Sequence, residues 1–143
     1  MENKYKFEIQ GEPQAQKRHR NTTKGGATWS YDPSAKDKEI VRQELLILPN
    51  KPFFATEKLE ITIHACFTIP KSYSAKKRDL LDGTYRNKKP DNDNVEKFYF
   101  DLMTGILYED DRQIVINHTY KFYSKKPRVE IIIHTISDEK NNG

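Results

Sequence analysis

The chain has 143 residues, 35% of them hydrophobic, 11% aromatic and 32% charged, with a formal net charge of +4. That is material for one core under a densely charged surface, so one compact domain over 1–143 is expected, burying roughly two-thirds of its unfolded surface. The sequence lacks a run of 18 apolar residues, Met1-Glu2-Asn3-Lys4 lacks the apolar stretch of a secretory signal, and the single Cys66 has no cysteine partner; a membrane span, export, a disulfide framework and a structural zinc site are therefore not expected, and a reducing cytoplasm is.

Residues 4–10 alternate polar and apolar, the pattern of a half-buried strand. Residues 11–33 show no periodicity and carry Lys17-Arg18-His19-Arg20, Lys24, Gly25-Gly26, Trp29 and Tyr31, which reads as a mobile basic loop, with Trp29 assigned to core packing ahead of base stacking. Residues 35–48 suit a helix, with Ile40, Val41, Leu45 and Leu48 at helical spacing, stopped by Pro49, Asn50 and Pro52. Residues 58–69 form the clearest strand: Leu59, Ile61, Ile63, Ala65, Phe67 and Ile69 share one face, and Cys66 is expected to be a small buried thiol. A second basic stretch follows, with a short helix at 74–81. A helix is expected over 94–103, with Asp93 as N-cap, Glu96 completing a capping box and Gly105 closing it. Strands at 113–123 and 128–135 finish the pattern, the first with Ile114, Ile116, His118, Tyr120 and Phe122 on one face, and 137–143 reads as a frayed tail. This order predicts an α+β domain with a mixed or antiparallel sheet and two to three helices. His19, His64, His118 and His134 are scattered and read as structural or surface groups.

The distribution of charge is more informative than its sum. Residues 91–111 hold seven acidic side chains and one lysine, a balance of −6, so the remainder carries +10 (24 basic against 14 acidic). An acidic patch in a basic protein would repel phosphate, unless a divalent cation neutralises it and bridges to that phosphate.

The segment Lys89-Pro90-Asp91-Asn92-Asp93-Asn94-Val95-Glu96-Lys97 leads into Asp101 and then Glu109-Asp110-Asp111-Arg112-Gln113-Ile114. If Asp91–Asp93 is extended, its two carboxylates project from one side of the chain, and Lys97 lies one helical turn beyond Asp93. Carboxylates converging without His or Cys make an all-oxygen site suited to Mg²⁺, with Mn²⁺ as substitute. The competing reading is a set of turn formers and helix caps. A calcium loop fails: Val95 and Glu96 stand where Asp or Asn and Gly are needed, and Leu102 occupies the position of the bidentate Glu.

The span Lys89–Ile114 resembles the signature of the RusA-like Holliday junction resolvases, endonucleases often carried by phages and prophages. The elements Lys-Pro-Asp-x-Asp-Asn-x-x-Lys, a helix containing Asp101, a Gly turn and Asp-Asp-x-Gln-Ile occur jointly and in order. The resemblance implies a RusA-like α+β fold, a homodimer in the bacterial cytoplasm, Mg²⁺ dependence, and resolution of four-way DNA junctions by paired nicks in recombination and repair. It implies Asp91, Asp93 and Asp111 as metal-binding carboxylates, with Asp110 as a possible contributor, and Lys97 as the essential lysine. Lys17, Arg18, Arg20, Lys24, Lys76, Lys77, Arg78, Lys88 and Lys89 are expected to hold DNA phosphates. The alternatives are a metal-dependent nuclease for other branched or single-stranded DNA, and a non-catalytic nucleic-acid-binding protein.

Overall fold

The alternation over Leu59–Ile69 becomes one of two central strands of a four-stranded sheet. In the computed structural model, which describes residues 3–138, the elements run β1 (Lys4–Gln10), β2 (Arg20–Lys24), β3 (Ala27–Tyr31), α1 (Ala35–Leu46), β4 (Lys58–Thr68), α2 (Ala75–Leu81), α3 (Asn92–Met103), β5 (Ile114–Ser124) and β6 (Arg128–Ile136). A single 3₁₀ turn, Asp111–Gln113, precedes β5. The sheet order is β1-β6-β4-β5, with β2 and β3 forming a separate ribbon. β4 pairs with β5 in parallel, and the other pairings are antiparallel. The fold is therefore α+β with a mixed sheet and three helices.

One face of the sheet is the core. Leu59, Ile61, Ile63, Ala65 and Phe67 of β4 join Phe7 and Ile9 of β1, and Val129, Ile131 and Ile133 of β6. Above them lie Val95, Phe98, Tyr99, Leu102 and Met103 of α3. Removing the buried Phe98 ring would cost about 3–5 kcal/mol and loosen α3 from the sheet. Cys66 is buried, and burial pushes its thiol pKa up, as for an inert packing group. None of the described helices is long and apolar enough to cross a membrane.

Four local readings are corrected by the structure. Residues 11–33 hold the β2–β3 ribbon, whose ten residues are all exposed; without a buried face there is no apolar alternation to read. Gly25 and Gly26 both have positive φ, 62° and 83°, the conformation a two-residue hairpin turn demands. Trp29 is accordingly 49% exposed and takes no part in the core.

The helical stripe of α1 is also different. Its buried residues are Lys38, Val41 and Leu45, while Ile40 points outward. In β5, a register irregularity between Leu59 and Glu60 pairs Leu59 with Ile114 but Glu60 with Ile116. The extra residue, Val115, switches the faces. Ile114 packs against the core, whereas Ile116, His118, Tyr120 and Phe122 share the opposite face with Glu60, Thr62, His64 and Cys66. The expected tail over 137–143 lies, from residue 139 onward, outside the described residues; Ser137 and Asp138 are exposed and in no strand.

Candidate active site

The face switch in β5 turns Thr119 and Lys121 toward the start of α3. Asn92 donates its side-chain amide to the Thr119 carbonyl (3.0 Å), and the Thr119 hydroxyl donates to the Glu96 carboxylate (2.7 Å). Lys121 donates to the carbonyls of Lys88 and Pro90, both at 2.7 Å. From the other side, Gln14 N–H donates to the Tyr99 hydroxyl and Gln16 N–H to the Asn94 carbonyl. The first turn of α3 is thus clamped between β5 and a strap at residues 14–17.

The helix begins earlier than the sequence reading placed it. Asp91, extended at φ −72° and ψ 151°, is the N-cap, but its side chain makes no capping hydrogen bond. Asp93 stands in the first helical turn, and Glu96 is engaged by Thr119 instead of closing a capping box. Asp91 and Asp93 are therefore not alternate residues of one extended segment. Both carboxylates are exposed, and neither has a side-chain hydrogen bond or ion pair among the described residues. The positive end of the α3 dipole favours negative charge there.

The second acidic pair is divided in its duties. Asp110 caps the 3₁₀ turn, accepting from Arg112 N–H (2.8 Å) and pairing with the Arg112 guanidinium (3.2 Å), while Gln113 completes a capping box. These contacts with Arg112, backbone N–H first, lower the Asp110 carboxyl pKa. Asp111 is raised: partial burial acts first, followed by a hydrogen bond to Asp110 and the negative charges of Asp110 and Asp101. Asp110 is a satisfied cap, and Asp111 is an acid crowded by like charge.

Lys97, Asp101 and Asp111 line a recess of ≈ 430 Å³ together with Gln16, His19, Asp32 and Lys38. Asp91 lines a neighbouring recess with Lys17, Lys89 and Asn94, and Gln16 borders both. Asp93 borders neither of these two recesses. Among the described residues, no three His, Cys, Asp or Glu side chains are grouped closely enough to hold a metal ion by themselves. The donor set is nonetheless all oxygen, and Mg²⁺ commonly uses one or two carboxylates and keeps waters for substrate phosphate. An open arrangement at a helix start and a turn fits that ion.

Behind the recess sits a group that the sequence reading missed. The ammonium of Lys38, 5% exposed, is 2.9 Å from both Asp32 and Asp101. Partial burial alone would raise the Asp32 carboxyl; hydrogen bonds from Lys38, the Ser34 N–H and Gln16 outweigh it and draw its pKa down to about 2. Asp101 also meets Arg42, whose guanidinium bonds the Asp101 and Leu102 carbonyls. A lysine in register with Val41 and Leu45 on a helix's inward stripe was the available signal, because such a charge is buried only when paired.

A model of the family described as "Endodeoxyribonuclease RusA" matches residues 10–134. This chain belongs to the RusA endodeoxyribonuclease family. It is also 35% identical over 138 residues to a Bacillus subtilis (strain 168) protein named "Uncharacterized protein YqaN", across 92% of this chain and 96% of that one. The relative's name specifies no activity.

In this RusA-family chain the basic residues expected to meet DNA fall in three places. Lys17 and Lys89 flank Asp91 directly, with Arg18 and Lys88 exposed beside them. Arg20 and Lys24 lie on the ribbon. Lys76, Lys77 and Arg78 belong to α2, which follows the C-terminal end of β4; Lys77 sits over the Tyr73 ring at 3.8 Å, and Arg78 is half-buried, its Nε without a hydrogen-bond partner among the described residues. Two of the four histidines have ordinary partners: His64 meets Glu130 at 3.4 Å, and His118 meets Glu60 at 2.8 Å; His19 lines the recess with Lys97 and Asp111.

Proposed function

We propose that this chain is a Mg²⁺-dependent endodeoxyribonuclease that resolves four-way DNA junctions by paired symmetric nicks, acting as a homodimer in DNA recombination and repair. The observation that carries this reading is the contrast among neighbouring acids in a RusA-family chain. Among the described residues Asp91, Asp93 and Asp111 make no ion pair, while Asp32, Asp101 and Asp110 are each paired. Like charge crowds Asp111, and Asp91 and Asp93 stand exposed at the start of α3, so the set is open to an incoming cation that bridges to phosphate.

Asp91, Asp93 and Asp111 would hold the metal, with Asp110 contributing only if it leaves its cap. Bound Mg²⁺ supplies a more acidic water and neutralises charge on the scissile phosphate. Lys97, exposed beside Asp111, contributes a fixed positive charge to the phosphoryl oxygens as negative charge builds on them. Lys17 and Lys89 hold the flanking phosphates at the mouth of the Asp91 recess. The clamp of α3 by Thr119, Lys121 and Gln16 keeps Asp91, Asp93 and Lys97 in place. A two-fold dimer presents one such site to each of the two symmetry-related strands.

The test is a synthetic four-way junction incubated with Mg²⁺. Paired symmetric nicks, lost in Asp91→Asn while junction binding persists, support the assignment. Tight binding with no cleavage in Mg²⁺ or Mn²⁺ sinks it, and equal cutting of flaps, single strands and junctions replaces it with a broader nuclease.

A further inference from the structure

The β2–β3 ribbon is an element with two unlike faces. Its register pairs Arg20 with Tyr31, Thr22 with Trp29 and Lys24 with Ala27, while Asn21 pairs with Ser30 and Thr23 with Thr28. Directly paired residues project to the same side and alternate along the strand. One face therefore carries Arg20, Lys24, Trp29 and Tyr31; the other carries only small polar side chains, where the Thr23 and Thr28 hydroxyls meet at 3.3 Å. Trp29 and Tyr31 are 49% and 46% exposed, although large aromatic rings are normally buried.

The foot of this ribbon is fixed at the recess. Asp32 accepts from Gln16, Ser34 N–H and Lys38, and His19 and Asp32 line the recess with Lys97 and Asp111. Trp29 stands three residues above Asp32, about 10 Å along the strand, or roughly three stacked base pairs. A two-stranded ribbon without a core is marginal in isolation, so this one is held by its foot and leaves its aromatic face to a ligand. Aromatic rings interleaved with Arg and Lys suit a polyanion that offers flat π-surfaces.

We infer that the Arg20–Lys24–Trp29–Tyr31 face of the ribbon engages unpaired or unstacked bases of DNA next to the cleavage point, with Trp29 as the stacking platform and Arg20 and Lys24 on the flanking phosphates. The inference rests on the nuclease reading above for the identity of the nucleic acid. Continuous duplex hides its base faces, so the ribbon distinguishes a branch from uninterrupted DNA and sets specificity without taking part in phosphate chemistry.

Trp29 is the chain's single tryptophan, which makes its emission a direct reporter of the ribbon. The full chain is titrated with a four-way junction and with a duplex of the same sequence, with Ca²⁺ in place of Mg²⁺ so that binding is read without turnover. Saturating junction is expected to quench Trp29 strongly and duplex weakly. Trp29→Ala is expected to raise the junction Kd about 5- to 150-fold and to leave the duplex Kd within about twofold, and Trp29→Phe to retain most of the affinity. Unchanged emission at saturating junction, or equal weakening of junction and duplex by Trp29→Ala, overturns the inference. Cleavage by the wild type in Mg²⁺, run in parallel, separates the two readings: cutting with an unquenched Trp29 removes only the ribbon's role, and quenching without cutting removes only the nuclease.

Discussion

Two charged clusters lie side by side at α3, built from the same residue types and serving opposite ends. In the first, Lys38 is buried between Asp32 and Asp101, each carboxylate at 2.9 Å, with Arg42 backing Asp101. In the second, Asp91, Asp93, Lys97 and Asp111 are exposed and make no ion pairs with one another. The first is electrostatically complete and ties α1, α3 and the ribbon's foot together. Among the described residues, the carboxylates of Asp91 and Asp93 and the ammonium of Lys97 have no hydrogen-bond or ion-pair partner. Stability and chemistry are thus divided between neighbouring sets of Asp and Lys, and completeness of pairing, more than residue type, tells them apart.

The largest separation between the clusters is expected from Asp91→Asn. Cleavage of a junction in Mg²⁺ should fall about 100- to 1,000-fold, as when one group that stabilises transition-state charge is removed. Urea unfolding should stay within about 0.5 kcal/mol of wild type, since the Asp91 side chain is exposed and makes no capping hydrogen bond. Lys38→Met should show the reverse bias. Deleting the buried partner leaves Asp32 uncompensated, at a cost of about 2–4 kcal/mol in urea melts; the value falls below a fully buried case because Asp101 is 55% exposed. Adding Asp32→Asn to Lys38→Met should recover part of that loss; no recovery would show that the lysine stem, and not the charge, is what matters there.

A smaller effect is expected in acid. The folded Asp32 pKa of about 2 lies below its unfolded value, so its contribution is complete above pH ~5 and disappears as pH falls toward 2. With solvent screening allowed for, about 1–2 kcal/mol should go in that window, and Asp32→Asn should flatten this part of the stability–pH curve. The smallest effect belongs to Asp101→Asn. Lys38 keeps Asp32, and Asp101 is half exposed, so about 0–1 kcal/mol of stability and less than about tenfold in cleavage are expected. A loss comparable to that of Asp91→Asn would move Asp101 from the structural cluster to the reactive one.

The elements most legible in the sequence were those with one dry face. β4 alternates over its whole length because its inward residues are buried and its outward ones are not, and α3 carries its apolar stripe for the same reason. The ribbon was illegible because every residue in it is wet, so only Gly25-Gly26 marked its turn. The start of α3 was misplaced because Asp91 and Asp93 both suit a cap, and the contacts that decide between them come from β5, remote in sequence. The switch of faces in β5 depends on one extra residue in a pairing, which no periodicity within the strand records. Within the acidic segment, Asp91, Asp93, Lys97 and Asp111 were visible as a motif. That Asp110 is occupied as a cap, and that Lys38 secures Asp101, needed three-dimensional partners.

The strand order carries a consequence for synthesis. β6, the last of the described strands in sequence, is inserted between β1 and β4, where it pairs with β1 over Lys4–Gln10 and with β4 over Lys58–Cys66. A growing chain halted before residue 128 holds its first strand with no neighbour, and an apolar β4 edge that its intended partner has yet to cover. The β1-β6-β4 part of the sheet closes only once β6 has been synthesised, so until then the backbone edges of β1 and β4 that it covers stay unpaired and open to other chains.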